Sequence, residues 1–243
     1  MKETKTQNSI DIPVAILAGG LATRMRPVSF STPKSLIPVL GKPFLAYQLE
    51  LLRTQGVRRI VLCVGHLGKQ IEEYFGDGTA FGVKLEYSFD GPKLLGTGGA
   101  LVQALPKLGD EFFVLYGDSY LPVELAPILE SFKKSNKKGL MTVYHNKGMH
   151  DTSNIVFRSD RIVLYDKVAK PKEMEHIDYG LSIFKREVFE ALDPNVLIDL
   201  ADIMKRLADE GELAGFEIKE RFYEVGSPQG LVELENYLSQ RKP

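Results

Sequence analysis

The chain has 243 residues, a formal net charge of −1 and a hydrophobic share of 44%. That size supports one large α/β domain with its own core, the balanced charge excludes a bulk nucleic-acid binder working by phosphate neutralisation, and no apolar run is long enough to span a bilayer. The one cysteine, Cys63, lies inside the apolar run from Ile60 to Val64, which excludes an internal disulfide or a cysteine metal site and fits a reducing, cytoplasmic setting.

Residues 1–11 are polar, mixed in charge and without the apolar stretch of a secretory signal, so they read as a flexible N-terminus ahead of a single domain over 12–243. Val14 to Leu17 is a short continuous apolar run, suited to a strand covered on both faces. Pro43 can open a helix in which Phe44, Leu45, Leu49 and Leu52 recur at helical spacing, with Gly56 as the stop. Arg59 to Val64 predicts a strand, and Ile71, Tyr74 and Phe75 a short helix closed by Gly76. Val83, Leu85, Tyr87 and Phe89 alternate with polar residues as a half-buried strand does. Gly98 to Leu105 reads as a helix and Phe112 to Tyr116 as an apolar strand ending at Gly117-Asp118.

Further on, Pro127 to Lys134 predicts a helix and Leu140 to His145 a strand. Asn154 to Arg158 and Arg161 to Tyr165 flank Ser159-Asp160 as a hairpin, and Ile177 to Phe184 is another strand. Leu197, Leu200, Ile203, Met204 and Leu207 form one helical face. Ser227 as N-cap and Pro228 in the first turn start a last helix with Leu231, Leu234 and Leu238 inward. The alternation predicts an α/β fold: an open, mostly parallel mixed sheet with helices on both faces. The hairpin strands form a substrate-side β subdomain at about 140–185, and no hexapeptide repeat follows.

In such a sheet ligands collect beyond the C-terminal ends of the strands, and three groups of residues sit there. The first follows strand one: Leu17-Ala18-Gly19-Gly20, then Thr23, Arg24 and Arg26, then Thr32-Pro33-Lys34 and Gly41-Lys42-Pro43. Small residues let backbone amides approach an anion, and fixed cations complete what a triphosphate needs. No Gly-Lys-Ser/Thr follows, so it is not a Walker A loop, and the third glycine of the dinucleotide fingerprint is missing. The second group is Leu95-Gly96-Thr97-Gly98-Gly99-Ala100, a glycine-rich helix entry whose N-terminus suits an anion. The third is Gly117-Asp118, a carboxylate at a strand end next to a phosphate loop; Mg²⁺ carried by a triphosphate needs only one or two protein carboxylates.

The stretch from Leu17 to Pro43, with the Leu95-Gly96-Thr97-Gly98-Gly99 string and Gly117-Asp118, resembles the sugar-1-phosphate nucleotidyltransferases (NDP-sugar pyrophosphorylases). The resemblance runs from Val14 to the final helix and is nearest in feel to the mannose and heptose 1-phosphate guanylyltransferases. It implies a Rossmann-like nucleotidyltransferase fold and a Mg²⁺-dependent reaction of NTP with sugar 1-phosphate to give NDP-sugar and pyrophosphate. It implies Arg24, Lys34, Asp118 and Lys167 as catalytic residues. Leu17, Ala18, Gly19, Gly20, Thr23, Gly96, Thr97, Gly98 and Gly117 become nucleotide contacts. Lys167, in Asp166-Lys167-Val168, would meet the sugar phosphate. Asp178 and Gly180 fall on the sugar-contacting strand, where Asp178 either accepts from sugar hydroxyls or caps a turn. Glu224 stands where the family has Asp and becomes the second metal ligand after Asp118. Ala22 and Ser35 also depart from the usual glycine and proline. Base and sugar stay open between guanylyl-, uridylyl- and cytidylyltransferases, a regulatory sugar-nucleotide-binding subunit is the alternative, and the assembly is a monomer or a homodimer. The missing second aspartate after Gly117-Asp118-Ser119 discriminates against a metal-dependent glycosyltransferase.

Overall fold

In the computed structural model, described for residues 10–20, 32–91, 93, 95–148, 152–167, 172–194 and 196–241, strands and helices alternate through the first half of the chain. β1 (Val14–Leu17) is followed by the short strands β2 (Pro38–Val39) and β3 (Lys42–Pro43) and by helix α1 (Phe44–Thr54). Next come β4 (Arg59–Val64), α2 (Gly68–Phe75), β5 (Lys84–Phe89), α3 (Gly96–Ala104), β6 (Glu111–Tyr116) and β7 (Ser119–Tyr120). Helix α4 (Leu125–Ser135) leads to β8 (Gly139–His145), the hairpin β9 (Ile155–Arg158) and β10 (Arg161–Tyr165), and the long β11 (His176–Lys185). The chain continues through α5 (Glu187–Glu190), α6 (Leu200–Asp209), β12 (Leu213–Ile218), β13 (Tyr223–Glu224) and α7 (Pro228–Ser239).

Successive strand residues point to opposite faces, and the core divides accordingly. Val14 and Ile16 pack with Leu45, Leu49, Ile71 and Phe132 from α1, α2 and α4. Ala15 packs on the other face with Leu101, Phe189 and Met204 from α3, α5 and α6. Helices therefore cover both faces, as the alternation predicts. Ser227 caps α7 by accepting from the Gly230 amide, with Pro228 in the first turn. Leu197 lies outside α6 and is exposed, because Asp199 caps that helix and Leu200 begins it.

The expected open, mostly parallel sheet is corrected. Among the described residues the main sheet runs β5-β4-β1-β6-β11-β8-β12-β10-β9, and β9 pairs back onto β11 through His176 and Ile155. Five strands, β11, β8, β12, β10 and β9, thus close into a small β-barrel joined to a parallel half. Only β5-β4-β1-β6 and the β8–β12 pair are parallel; β11 is antiparallel to all its neighbours.

Two features make the closure. The register of β11 on β8 shifts between Asp178 and Ser182, where Gly180 takes φ 99°, and such a bulge bends a strand. The Thr142 hydroxyl donates to the Leu181 carbonyl at 2.6 Å and satisfies the backbone there. The second feature is β12, a strand the reading above does not contain. Gly215 interrupts its apolar pattern, and a Cβ there would meet Phe157 Cε2 at 2.6 Å, so the missing side chain is what lets β9 and β12 pack together.

Candidate active site

β1 and β6 run parallel, with Leu17 opposite Tyr116, and both end at one cavity of about 540 Å³. Its walls are the Leu17–Gly20 turn, Lys34, Asp90, Gly96, Thr97, Tyr116, Gly117 and Asp118. The Ala18 amide donates to the Cys63 carbonyl at 2.8 Å and the Gly117 amide to the Leu17 carbonyl at 3.1 Å, so the strand ends are stitched together. Position 117 has no room for a side chain: a Cβ would sit 2.5 Å from the Leu17 carbonyl oxygen. Gly20 differs, since nothing among the described residues lies within 4 Å of its Cβ position, and it lines the cavity. Thr23 and Arg24, with Arg26, lie outside the described residues.

Lys34 follows Pro33 at the head of a short 3₁₀ turn, and its Nζ donates to Asp118 Oδ2 at 2.9 Å. Glu224 arrives beside them because β13 pairs with β7, Glu224 opposite Ser119, and the Val225 amide donates to the Asp118 carbonyl at 3.0 Å. The Glu224 carboxylate accepts from the Gly226 amide and the Ser227 hydroxyl. A Cβ on Gly226 would lie 2.7 Å from Glu224 Oε2, 3.2 Å from Lys34 Nζ and 3.6 Å from Asp118 Oδ2. Glycine at 226 thus leaves a small gap on which two carboxylates and one ammonium converge.

The donor set there fits Mg²⁺. It is made of hard carboxylate oxygens from two adjoining chain segments, and a magnesium ion carried by phosphates takes no more than that from a protein. Among the described residues no group of three or more His, Cys, Asp or Glu side chains is suited to holding a metal without such help.

The Gly96–Gly99 string forms the opposite wall, and its glycines serve the packing of protein on protein. Gly96 has φ 75°, and a Cβ there would meet the Ile198 carbonyl oxygen at 2.5 Å. The Gly98 and Gly99 amides both donate to that carbonyl, at 2.8 and 3.3 Å. These two donors at the start of α3 are therefore spent on the 196–198 segment, and Gly98 lies behind the wall against Ile198 and Ile203. Thr97 reaches the cavity, and its hydroxyl donates to Asp199 Oδ1 at 3.0 Å.

Lys167 pairs with Asp199 Oδ2 at 3.3 Å, both side chains about half exposed. Asp178 is half-buried where β11 bulges; it accepts from the Tyr116 hydroxyl and from the Gly180 amide, each at 2.9 Å. Burial pushes the Asp178 carboxyl up, against the Gly180 and Tyr116 hydrogen bonds and the Lys167 charge, which pull it down. Burial, then the Asp178 charge, raises the Tyr116 hydroxyl well above the ordinary tyrosine range. Asp178 is thus tied to the cavity wall through Tyr116 and held over the left-handed Gly180. A Cβ at 180 would come within 3.2 Å of Tyr116 Cδ2.

Asp90, just past the end of β5, was not among the residues expected from the sequence. It lines the cavity beside the Gly19 backbone, 3.6 Å from the Gly19 Cβ position, and burial raises its carboxyl against a hydrogen bond from the Leu95 amide. The available signal was its place: an acid directly beyond the C-terminal end of a parallel strand.

Comparison with known proteins shows the family. The chain is 34% identical over 216 residues to the UTP–glucose-1-phosphate uridylyltransferase of Synechocystis, covering 81% of the chain and 55% of that protein. It therefore spans little more than half of that relative's length. It is 37% identical over 177 residues to the D-glycero-alpha-D-manno-heptose 1-phosphate guanylyltransferase of Campylobacter jejuni, covering 72% of the chain and 76% of that protein. A solved structure described as a putative glucose-1-phosphate thymidylyltransferase from Bacillus anthracis superposes with a TM-score of 0.80 at 22% identity, covering 95% of this chain and 96% of the other; that likeness shows the fold. The sequence model of the nucleotidyl transferase family matches residues 14–241, and with these relatives it places the chain in that family.

Proposed function

We propose that the chain transfers a nucleoside monophosphate from an NTP to a sugar 1-phosphate and releases pyrophosphate. The observation that carries this reading is the Lys34–Asp118 pair, at 2.9 Å, on the wall of a cavity bounded by the Leu17–Gly20 turn. A cation next to a carboxylate, both beside an amide-rich turn, provides for a phosphate chain and the metal it carries.

In this reaction a sugar-phosphate oxygen bonds to the α-phosphorus as the bond from that phosphorus to pyrophosphate breaks. The nucleophile is already anionic, so no general base is needed, and alignment and charge neutralisation are what the protein contributes. Lys34 faces the α-phosphate, and Arg24 with the loop amides takes the β- and γ-phosphates. Leu17, Gly96, Thr97 and Gly117 form the walls against which base and ribose pack. Lys167 holds the sugar phosphate, and Asp178 and Gly180 face the sugar. Asp118 and Glu224 would hold Mg²⁺, whose chemistry is to neutralise charge on the reacting phosphates. Asp90 supports guanine as the base, because a carboxylate acceptor matches the N–H donors on one edge of guanine. The sugar is then mannose or heptose, as the resemblance implies.

The experiment is pyrophosphate release with Mg²⁺ across a matrix of NTPs and hexose and heptose 1-phosphates. The expected result is turnover with GTP and one of these sugar phosphates. Tight nucleotide binding with no turnover for any pair overturns catalysis in favour of a regulatory subunit. Turnover confined to UTP or CTP overturns the role given to Asp90.

A further inference from the structure

Lys167 and the Gly96–Gly99 string lie far apart in the chain, and one side chain joins them. Asp199, the N-cap of α6, accepts at Oδ1 from the Ala201 amide and the Thr97 hydroxyl, each at 3.0 Å. Its Oδ2 accepts from Lys167 Nζ at 3.3 Å. The Thr97 oxygen in turn accepts from the Leu200 amide at 2.8 Å. Next to this knot, the Ile198 amide donates to the Leu95 carbonyl at 2.9 Å, and the Ile198 carbonyl holds Gly98 and Gly99. Helix α6 also grips the residue before the lysine: Lys205 Nζ lies 3.4 Å from Asp166 Oδ2. Burial alone would raise the Asp199 carboxyl, but the Ala201 amide, the Lys167 charge and the Thr97 hydroxyl together hold it below the ordinary aspartate range.

We propose that Asp199 is a positioning residue that aims the Lys167 ammonium at the sugar-phosphate end of the cavity and ties that aim to the Thr97 wall. The proposal rests on the transferase reading in giving Lys167 the sugar phosphate. A lysine side chain carries much rotamer freedom on its four-carbon stem. One of its three N–H donors fixed on Asp199 narrows where the ammonium can sit and leaves two donors for a phosphate. Because Asp199 also caps α6 and binds Thr97, the ammonium is held in register with the nucleotide-side wall.

The test separates this role from helix capping. Asp199→Asn keeps an N-cap oxygen for Ala201 and Thr97, since Asn caps about as well as Asp, but loses the charge on Lys167. The expected melting temperature is unchanged within about 2 °C. The expected kcat/KM for sugar 1-phosphate falls about fivefold, the scale of an ion pair exposed to solvent. That loss falls in the KM for sugar phosphate, while the KM for NTP stays within twofold. In a Lys167→Met background, Asp199→Asn adds less than a twofold effect. Should the Asn variant be unstable, Asp199→Ser, another good cap, makes the same comparison. A readout without turnover is the NMR signal of ¹³C-dimethylated Lys167, identified by its loss in Lys167→Arg. It moves toward the exposed-lysine position in Asp199→Asn.

A Lys167 signal unmoved by that substitution, or an equal kinetic loss with Lys167 already replaced, overturns the proposal. A wild-type chain with no turnover but a responsive Lys167 signal overturns the transferase reading and supports the pairing.

Discussion

Two glycines on the cavity wall separate packing from ligand approach. Gly117→Ala places a Cβ 2.5 Å from the Leu17 carbonyl oxygen, 2.9 Å from the Leu17 carbonyl carbon and 3.0 Å from Ala18 Cα. All three are backbone atoms, so no rotamer change relieves the clash. The ends of β1 and β6 must separate, and the 3.1 Å bond from the Gly117 amide to Leu17 must stretch. Overpacking of this kind costs about 1–3 kcal/mol, and rigid neighbours put this case near 3. For a chain of this length each kcal/mol is worth roughly 2–4 °C, which gives a melting temperature lower by about 8 °C. Gly20→Ala meets nothing within 4 Å among the described residues, so its stability is expected to stay within about 0.5 kcal/mol of wild type. Its methyl group nevertheless enters the space proposed for phosphate, and nucleotide affinity is expected to fall about tenfold, an overpacking cost of roughly 1.4 kcal/mol. Calorimetric unfolding and titration with Mg²⁺-GTP measure both quantities. Equal melting of the two variants would refute the packing argument, and wild-type nucleotide affinity in Gly20→Ala would refute the phosphate assignment of the turn.

Asp118→Asn is expected to fold normally, since its side chain is partly exposed, and to lose on the order of a hundredfold in turnover, as loss of a charge-stabilising group does; near-normal pyrophosphate release removes Asp118 from the reaction. His176 stacks on His145 with ring centroids 5.0 Å apart, and Glu217, Glu175, Lys219 and Phe157 surround the pair. Burial, then the His145 charge, lowers the imidazole from 6.5. The unfolded chain therefore takes up the proton first, and stability falls as pH drops from 6.5 through the lowered folded value. His176→Phe should reduce the drop in melting temperature between pH 7.5 and pH 5; an unchanged drop assigns the acid sensitivity elsewhere.

The cavity walls proposed for the nucleotide were legible because each signal is local. A strand ends in glycines, an acid follows another strand, and cations stand a few residues on; Leu17–Gly20, Lys34 and Asp118 accordingly share one cavity. The last helix was legible for the same reason, from Ser227 and Pro228. The barrel was not, because it depends on pairings between distant residues: His176 with Ile155, and β12 with β8 and β10. Gly215 breaks the apolar pattern of β12, and its lack of a side chain answers Phe157, on a strand far away in the chain. The string at 96–99 was read for a ligand, and its glycines serve Ile198 as much as the cavity. Asp199 carried no signal apart from its capping role, because its partners lie 32 and 102 residues away.

The sheet's change of direction at β6 explains how the two proposed substrates could meet. β6 is parallel to β1 on one side and antiparallel to β11 on the other, with Leu115 opposite Leu181. The end of β6, which delivers Asp118, therefore adjoins the early part of β11, which delivers Asp178 and Gly180, and the Tyr116–Asp178 hydrogen bond spans the junction. In a sheet parallel throughout, the far end of β11, with Phe184 and Lys185, would lie there instead. Closure extends the argument to Lys167. β9 turns back onto the start of β11 at Ile155, and Ile155 also pairs with Tyr165 of β10. The end of β10, and with it Lys167, is thereby brought to the same side as Asp178. An open sheet would leave that cation at a free edge, so in this chain the barrel is what sets the cation proposed for the sugar phosphate next to the turn proposed for the nucleotide.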